Sequence, residues 1–300
     1  MTAPRRELAL ASDVAAEGSS SVFGFVLRPI SSAIEGRLSA AIAVLPFALL
    51  AWVILLPPLR PLALGLVVGG TAVLRWRASP LMWTWAASIP LAAIQAWSLL
   101  PAPAAAAALA SCASLLSPPM LWRVAELAVV VGIVLLVVRW LRVASPVLPF
   151  GPQPRWLVGL SFGAGFAIVP IALLVGEQAA RPFFGPVHLE TGILGAVAPA
   201  LIFGLANGAL EETVYRGVLL TWAEPLLGTG GAIVAQALMF GLAHTGPDFV
   251  GSPLPVLASM FALGIVAGLV VKRTGSLAVP IIIHAAFDVP LYYSLACRVT

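Results

Sequence analysis

Residues Gly192–Leu227 read GILGAVAPALIFGLANGALEETVYRGVLLTWAEPLL. Up to Leu210 the stretch is predominantly apolar and about the ~20 residues long that a membrane-spanning helix needs. Glu211 and Glu212 then stand side by side, with Arg216 four residues beyond Glu212. An ionisable side chain at membrane depth costs about 2.5–3.5 kcal/mol even on lenient insertion scales, so this cluster has to face a protein interior and marks a functional site.

The whole chain has the same character. Of its 300 residues 61% are hydrophobic and only 9% charged, and the mean hydropathy is +1.05. No strand alternation is visible, and open sheet edges in lipid would leave backbone groups unsatisfied. The expectation is an all-α protein, a polytopic membrane helix bundle of about eight to nine transmembrane helices at ~20 residues per span. The net charge of +4 comes from arginines placed between spans. In a membrane protein such a balance reports orientation, so the lipid bilayer is the expected partner and nucleic acid is not. Cys112 and Cys297 lie in apolar segments, and their spacing suggests neither a disulfide framework nor a metal site.

Three parts follow from the distribution of charge. Residues 1–37 form a polar N-terminal segment whose apolar run, Leu8–Ala16, is too short and too interrupted for a cleaved signal peptide. Residues 38–150 hold N-terminal transmembrane helices with spans expected at Leu38–Leu56, Pro61–Leu74, Pro80–Leu100 and Met120–Val138. After the Pro/Gly-rich link Pro146–Pro154, residues 151–300 form the catalytic part, starting with a span at Trp156–Val175. Its four further helices are expected at Gly192–Leu227, Gly231–Thr245, Pro253–Val271 and Leu277–Ala296, separated by turn-rich or charged breaks. Glu126 and Glu177 sit near span ends, within reach of the interface, while His188, Glu190 and Asp248 read as loop residues.

Glu212 and Arg216, spaced i, i+4, share a helix face and form a structural charge pair, whereas Glu211 points about 100° away. The less neutralised Glu211 is the candidate general base. Two of the three histidines, His244 and His284, lie in the following apolar segments. Antiparallel packing brings His244 to the height of Glu211, about 20–24 Å from the Gly228 turn at 1.5 Å per residue. His284 and Asp288 are again i, i+4, so the carboxylate can orient the imidazole or join it at the reacting carbonyl.

The motifs Glu211-Glu212-Thr213-Val214-Tyr215-Arg216 (EExxxR), Phe240 to His244 (FxxxH) and His284 to Asp288 (HxxxD), in this order and each on an apolar helix, resemble the CPBP family of intramembrane proteases. That family includes the CAAX prenyl endopeptidases and bacterial relatives linked to bacteriocin processing and self-immunity. The resemblance covers Gly192–Ala296 and implies an intramembrane endopeptidase acting near a membrane-anchored or lipid-modified terminus of a protein or peptide substrate. It implies that Glu211, helped by His244, activates water, and that His284 and the residue at 288 stabilise the oxyanion. Relatives often carry Asn where this chain has Asp288, and an ionised carboxylate cannot donate a hydrogen bond.

No cofactor is favoured. A second reading makes Glu211, His244 and His284 ligands of a divalent metal such as zinc. The competing functional classes are a membrane transporter or proton relay, whose path the buried charges would line, and a non-enzymatic self-immunity protein. Clustering of the charge in one half, with no internal repeat, favours the protease. The expected location is a multi-pass position in the bacterial inner membrane. The positive-inside rule puts Lys272-Arg273, with Arg139, Arg142 and Arg155, on the cytoplasmic side, and the pocket of His244 toward the outer face.

Overall fold

The computed structural model is all-α and describes residues 33–100, 112–142, 154–174, 178, 194–246 and 253–297. Its helices in chain order are α1 (Ala33–Leu55), α2 (Arg60–Trp76), α3 (Met82–Trp97), α4 (Pro118–Leu141), α5 (Arg155–Leu174), α6 (Val197–Glu212), α7 (Thr221–Ala243), α8 (Pro253–Thr274) and α9 (Ala278–Ala296). No strand occurs among the described residues. Compactness divides the chain at residue 41. The described part of the first unit is the beginning of α1, and the bundle below belongs to residues 42–300. Residues 146–153 of the expected link, residues 101–111, and Glu177, His188, Glu190 and Asp248 lie outside the described residues.

Six stretches among the described residues are long and apolar enough to cross a membrane: Leu38–Leu55, Pro57–Trp76, Pro118–Leu141, Val197–Ala243, Pro253–Thr274 and Ala278–Ala296. Val197–Ala243 has 47 residues, about 70 Å of straight helix against a hydrocarbon thickness of ~30 Å. It therefore has to fold back, and does so at Gly228, where φ is 69° and ψ 168°, a conformation that only glycine adopts without strain. The break expected between the first two helices of the catalytic part is thus a glycine corner inside α7. Between α6 and α7, Thr213–Leu220 is π-helical. Such insertions occur frequently at functional sites, and this one begins directly after Glu212. The Lys272–Ser276 break is a tight link: Gly275 ends α8 with φ 67°, and the Ser276 hydroxyl accepts the Ala278 N–H at 3.1 Å to start α9.

Small residues let the functional helices touch. A Cβ on Gly204 would sit 2.5 Å from the carbonyl oxygen of Ala285, and one on Gly208 3.0 Å from that of Ile281 and 3.4 Å from Cβ of His284. Thus α6 lies backbone to backbone on α9, the close approach that small-residue spacing permits in membrane bundles. The second arm of α7 meets α8 in the same way, with Gly264 against Ala237 and Gln236 Nε2 donating to the Gly264 carbonyl at 2.8 Å. One apolar core joins α1–α4 to the π-helical segment and α7. A smaller one gathers Met120, Phe203, Val289, Tyr292 and Tyr293 at the far end of α9.

Two expectations are corrected here. Cys112 and Cys297 form a disulfide, with Cα atoms 5.4 Å apart and 185 residues between them in sequence. No spacing signal links such distant positions. The packing of α4 and α6 on α9 brings them together, and the Tyr292 hydroxyl, 2.6 Å from both the Cys112 carbonyl and the Ser117 hydroxyl, holds the two segments in place. Glu126 does not reach the interface. It is 4% exposed and accepts a hydrogen bond from Arg123 Nη1 at 2.8 Å. Distance from a helix end gives depth along the axis, whereas burial here follows from the α6 face that covers α4.

Candidate active site

The α6–α9 crossing assembles the site. Glu212 Oε1 accepts from Arg216 Nη1 at 2.9 Å, and the two side chains are 2% and 1% exposed. The same oxygen lies 2.9 Å from His284 Nδ1. Glu212 therefore does more than pair with Arg216: it also holds the imidazole of the neighbouring helix. The Nε2 of His284 faces two further carboxylates, Glu211 Oε2 at 3.6 Å and Asp288 Oδ2 at 3.7 Å.

His244 arrives from the end of α7. Its Nδ1 is 2.7 Å from the Phe240 carbonyl, which can only accept, so Nδ1 carries a hydrogen. Its Nε2 turns to Glu211 Oε2 at 3.9 Å. Both histidines thus present Nε2 to one carboxylate oxygen while a neighbour fixes Nδ1. Glu211 Oε2 itself has no hydrogen-bond partner among the described residues, since 3.6 and 3.9 Å exceed hydrogen-bond length.

Phe240 is the platform of the site. Its ring centroid is 4.3 Å from the Arg216 guanidinium, 4.7 Å from the His244 ring and 6.0 Å from the His284 ring, at 90°. A buried cation over an aromatic face is held by the ring quadrupole as well as by its carboxylate, so Phe240 links the Glu212–Arg216 pair to both imidazoles. Tyr215 closes the outer side edge-on, 5.2 Å away.

The structure therefore brings all six residues singled out in the sequence, Glu211, Glu212, Arg216, His244, His284 and Asp288, into one connected cluster. It adds one that the sequence reading passed over. Asn207, 3% exposed, donates through Nδ2 to Asp288 Oδ2 at 2.9 Å. Its only sequence signal is a lone amide in an apolar run, one helical turn before Glu211. Among the described residues no group of three or more His, Cys, Asp or Glu is placed to hold a metal ion.

Residues 183–290 match the family model of the type II CAAX prenyl endopeptidase Rce1-like proteins. No curated protein matches the chain, and no solved structure does. The matched region contains the whole cluster, from Asn207 to Asp288, on helices that could lie within a bilayer. Over residues 183–290 the chain is therefore similar to the CAAX-protease (CPBP) family.

Proposed function

We propose that the chain is an intramembrane endopeptidase that hydrolyses a peptide bond close to a membrane-anchored or lipid-modified terminus of its substrate, with Glu211 as general base. One observation carries this reading: two imidazole Nε2 atoms converge on the same Glu211 oxygen at 3.6 and 3.9 Å. Glu211 takes a proton from water with His244 Nε2 accepting the other water hydrogen, and the oxygen attacks the carbonyl carbon. His284 Nδ1 is 2.9 Å from Glu212 Oε1, and in the proposed step the doubly protonated ring also donates from Nε2. Its Nε2–H is then the donor to the oxyanion. Collapse of the tetrahedral intermediate breaks the C–N bond, and the proton held by Glu211 passes to the leaving amine.

The test is cleavage of a bilayer-anchored reporter peptide by purified, detergent-extracted protein. Glu211→Gln keeps size and polarity but removes the base, and is expected to abolish turnover while the protein accumulates normally. Activity is expected to survive exhaustive chelation. Loss to a chelator with recovery on adding zinc would replace the glutamate mechanism by metal-assisted hydrolysis.

A further inference from the structure

Across the α6–α9 crossing two i, i+4 pairs face each other like rungs. Asn207 and Glu211 share one face of α6, and His284 and Asp288 share one face of α9. Because the helices run antiparallel, Asn207 meets Asp288 at 2.9 Å and Glu211 meets His284 at 3.6 Å. Gly204 and Gly208 flank Asn207 and hold this register, since a Cβ at either position would press on the backbone of α9 at 2.5 or 3.0 Å.

The geometry points to Asn207 as a positioning residue of the proposed proteolytic site: its amide fixes the Asp288 carboxylate toward His284 Nε2, and so sets the nitrogen that faces Glu211. This rests on the endopeptidase reading above. Facing a carboxylate, which when ionised only accepts, Asn207 has to turn its NH₂ to Asp288 and its Oδ1 away. That Oδ1 is buried without a hydrogen-bond partner among the described residues, an arrangement that carries the desolvation cost of an unsatisfied polar group. An asparagine kept only for packing would have both ends of its amide satisfied. Here one end is left unsatisfied so that the other can hold Asp288, the kind of local cost found at functional sites. The Asp288 Oδ2 that accepts from Asn207 is the same oxygen that lies 3.7 Å from His284 Nε2. Glu212 meanwhile fixes the opposite nitrogen of the same ring. The amide donor that this chain lacks at position 288 is thus provided from α6, acting through the carboxylate.

The test is a double-mutant cycle on full-length protein in detergent, reading kcat, KM and melting temperature with the reporter peptide. Asn207→Ala is expected to lower kcat about 10- to 100-fold, the scale of a slight misplacement of a reacting group, with KM unchanged. Asn207→Ser, nearly equal in volume to Ala but still a donor, should retain more kcat than Asn207→Ala, and serves as the comparison if the Ala variant folds poorly. Because Asn207 acts through Asp288, the Asn207→Ala/Asp288→Ala double variant should be no slower than Asp288→Ala alone. A kcat for Asn207→Ala within twofold of wild type, equal rates for the Ser and Ala variants, or additive losses in the double variant would overturn the assignment while leaving the protease reading intact. Folded wild-type protein that cleaves no anchored peptide, or cleavage that survives Glu211→Gln, would overturn both.

Discussion

At the scale of single residues, Glu212 has two tasks that separate by experiment. It neutralises Arg216, both side chains being at most 2% exposed, and it fixes His284 Nδ1. Removing one partner of a buried ion pair costs about 3–5 kcal/mol because a charge is stranded. Glu212→Gln is therefore expected to lower the melting temperature and the yield of folded protein as well as the rate. His284→Ala leaves the Glu212–Arg216 pair in place and removes the proposed oxyanion donor, so it should cost on the order of 10²- to 10³-fold in kcat with little change in stability. Cleavage rate and melting temperature measured side by side check this. A His284 variant that loses as much stability as Glu212→Gln would make the imidazole a structural member of the cluster.

At the scale of elements, the proposed catalysis depends on how closely α6 approaches α9. A methyl at Gly204 would fall 2.5 Å from the Ala285 carbonyl oxygen, so the helices have to part before it fits. Overpacking of this kind costs roughly 1–3 kcal/mol. Gly204→Ala should also move Glu211 and Asn207 away from His284 and Asp288, lowering kcat although residue 204 touches no reacting group. Gly159→Ala on α5 is the control, since a Cβ there meets nothing within 4 Å. It should be neutral or slightly stabilising through the unfolded chain. Equal behaviour of the two variants in thermal unfolding and turnover would show that the crossing is looser than its contacts imply.

At the scale of the whole molecule, the helix directions sort the charges. Arg75 donates to the carbonyl of Trp140, Lys272 pairs with Glu224 at 2.7 Å, and α5 runs parallel to α9, with Gly165 beside Ile282 and Val169 in the core around Tyr292. These contacts gather Arg75, Arg77, Arg139, Arg142, Arg155, Lys272 and Arg273 at one end. The disulfide Cys112–Cys297 is at the other, as are Arg60 and the end of α7, where a Cβ on Gly246 would lie 3.3 Å from the Ile54 side chain. The positive-inside rule assigns the arginine-rich end to the cytoplasm, and disulfides persist on the oxidising side. Both signals support the proposed orientation, with His244 nearer the outer face and exported, membrane-anchored proteins as the proposed substrates. In intact cells an impermeant thiol reagent should label Leu100→Cys and spare Thr274→Cys. The reverse pattern would turn the molecule over and direct its site to cytoplasmic substrates.

Sequence by itself determined whatever depends on composition and short spacing. Apolar runs of spanning length required a helical membrane bundle. The four-residue spacings put Glu212 against Arg216 and His284 beside Asp288, as helical periodicity dictates. Glu211 stood out because an ionised group in an apolar run needs a reason to be there. The remaining contacts lie between residues far apart in the chain: Glu212 with His284 across 72 positions, Asn207 with Asp288 across 81, and the cysteines across 185. Whether such groups meet depends on the crossing angle, rotation and register of two helices. Backbone-close packing at Gly204 and Gly208 sets those quantities, and no residue spacing encodes them. For that reason Asn207 looked like an isolated amide, the cysteines like unrelated apolar residues and Glu126 like an interface group until the helices were packed.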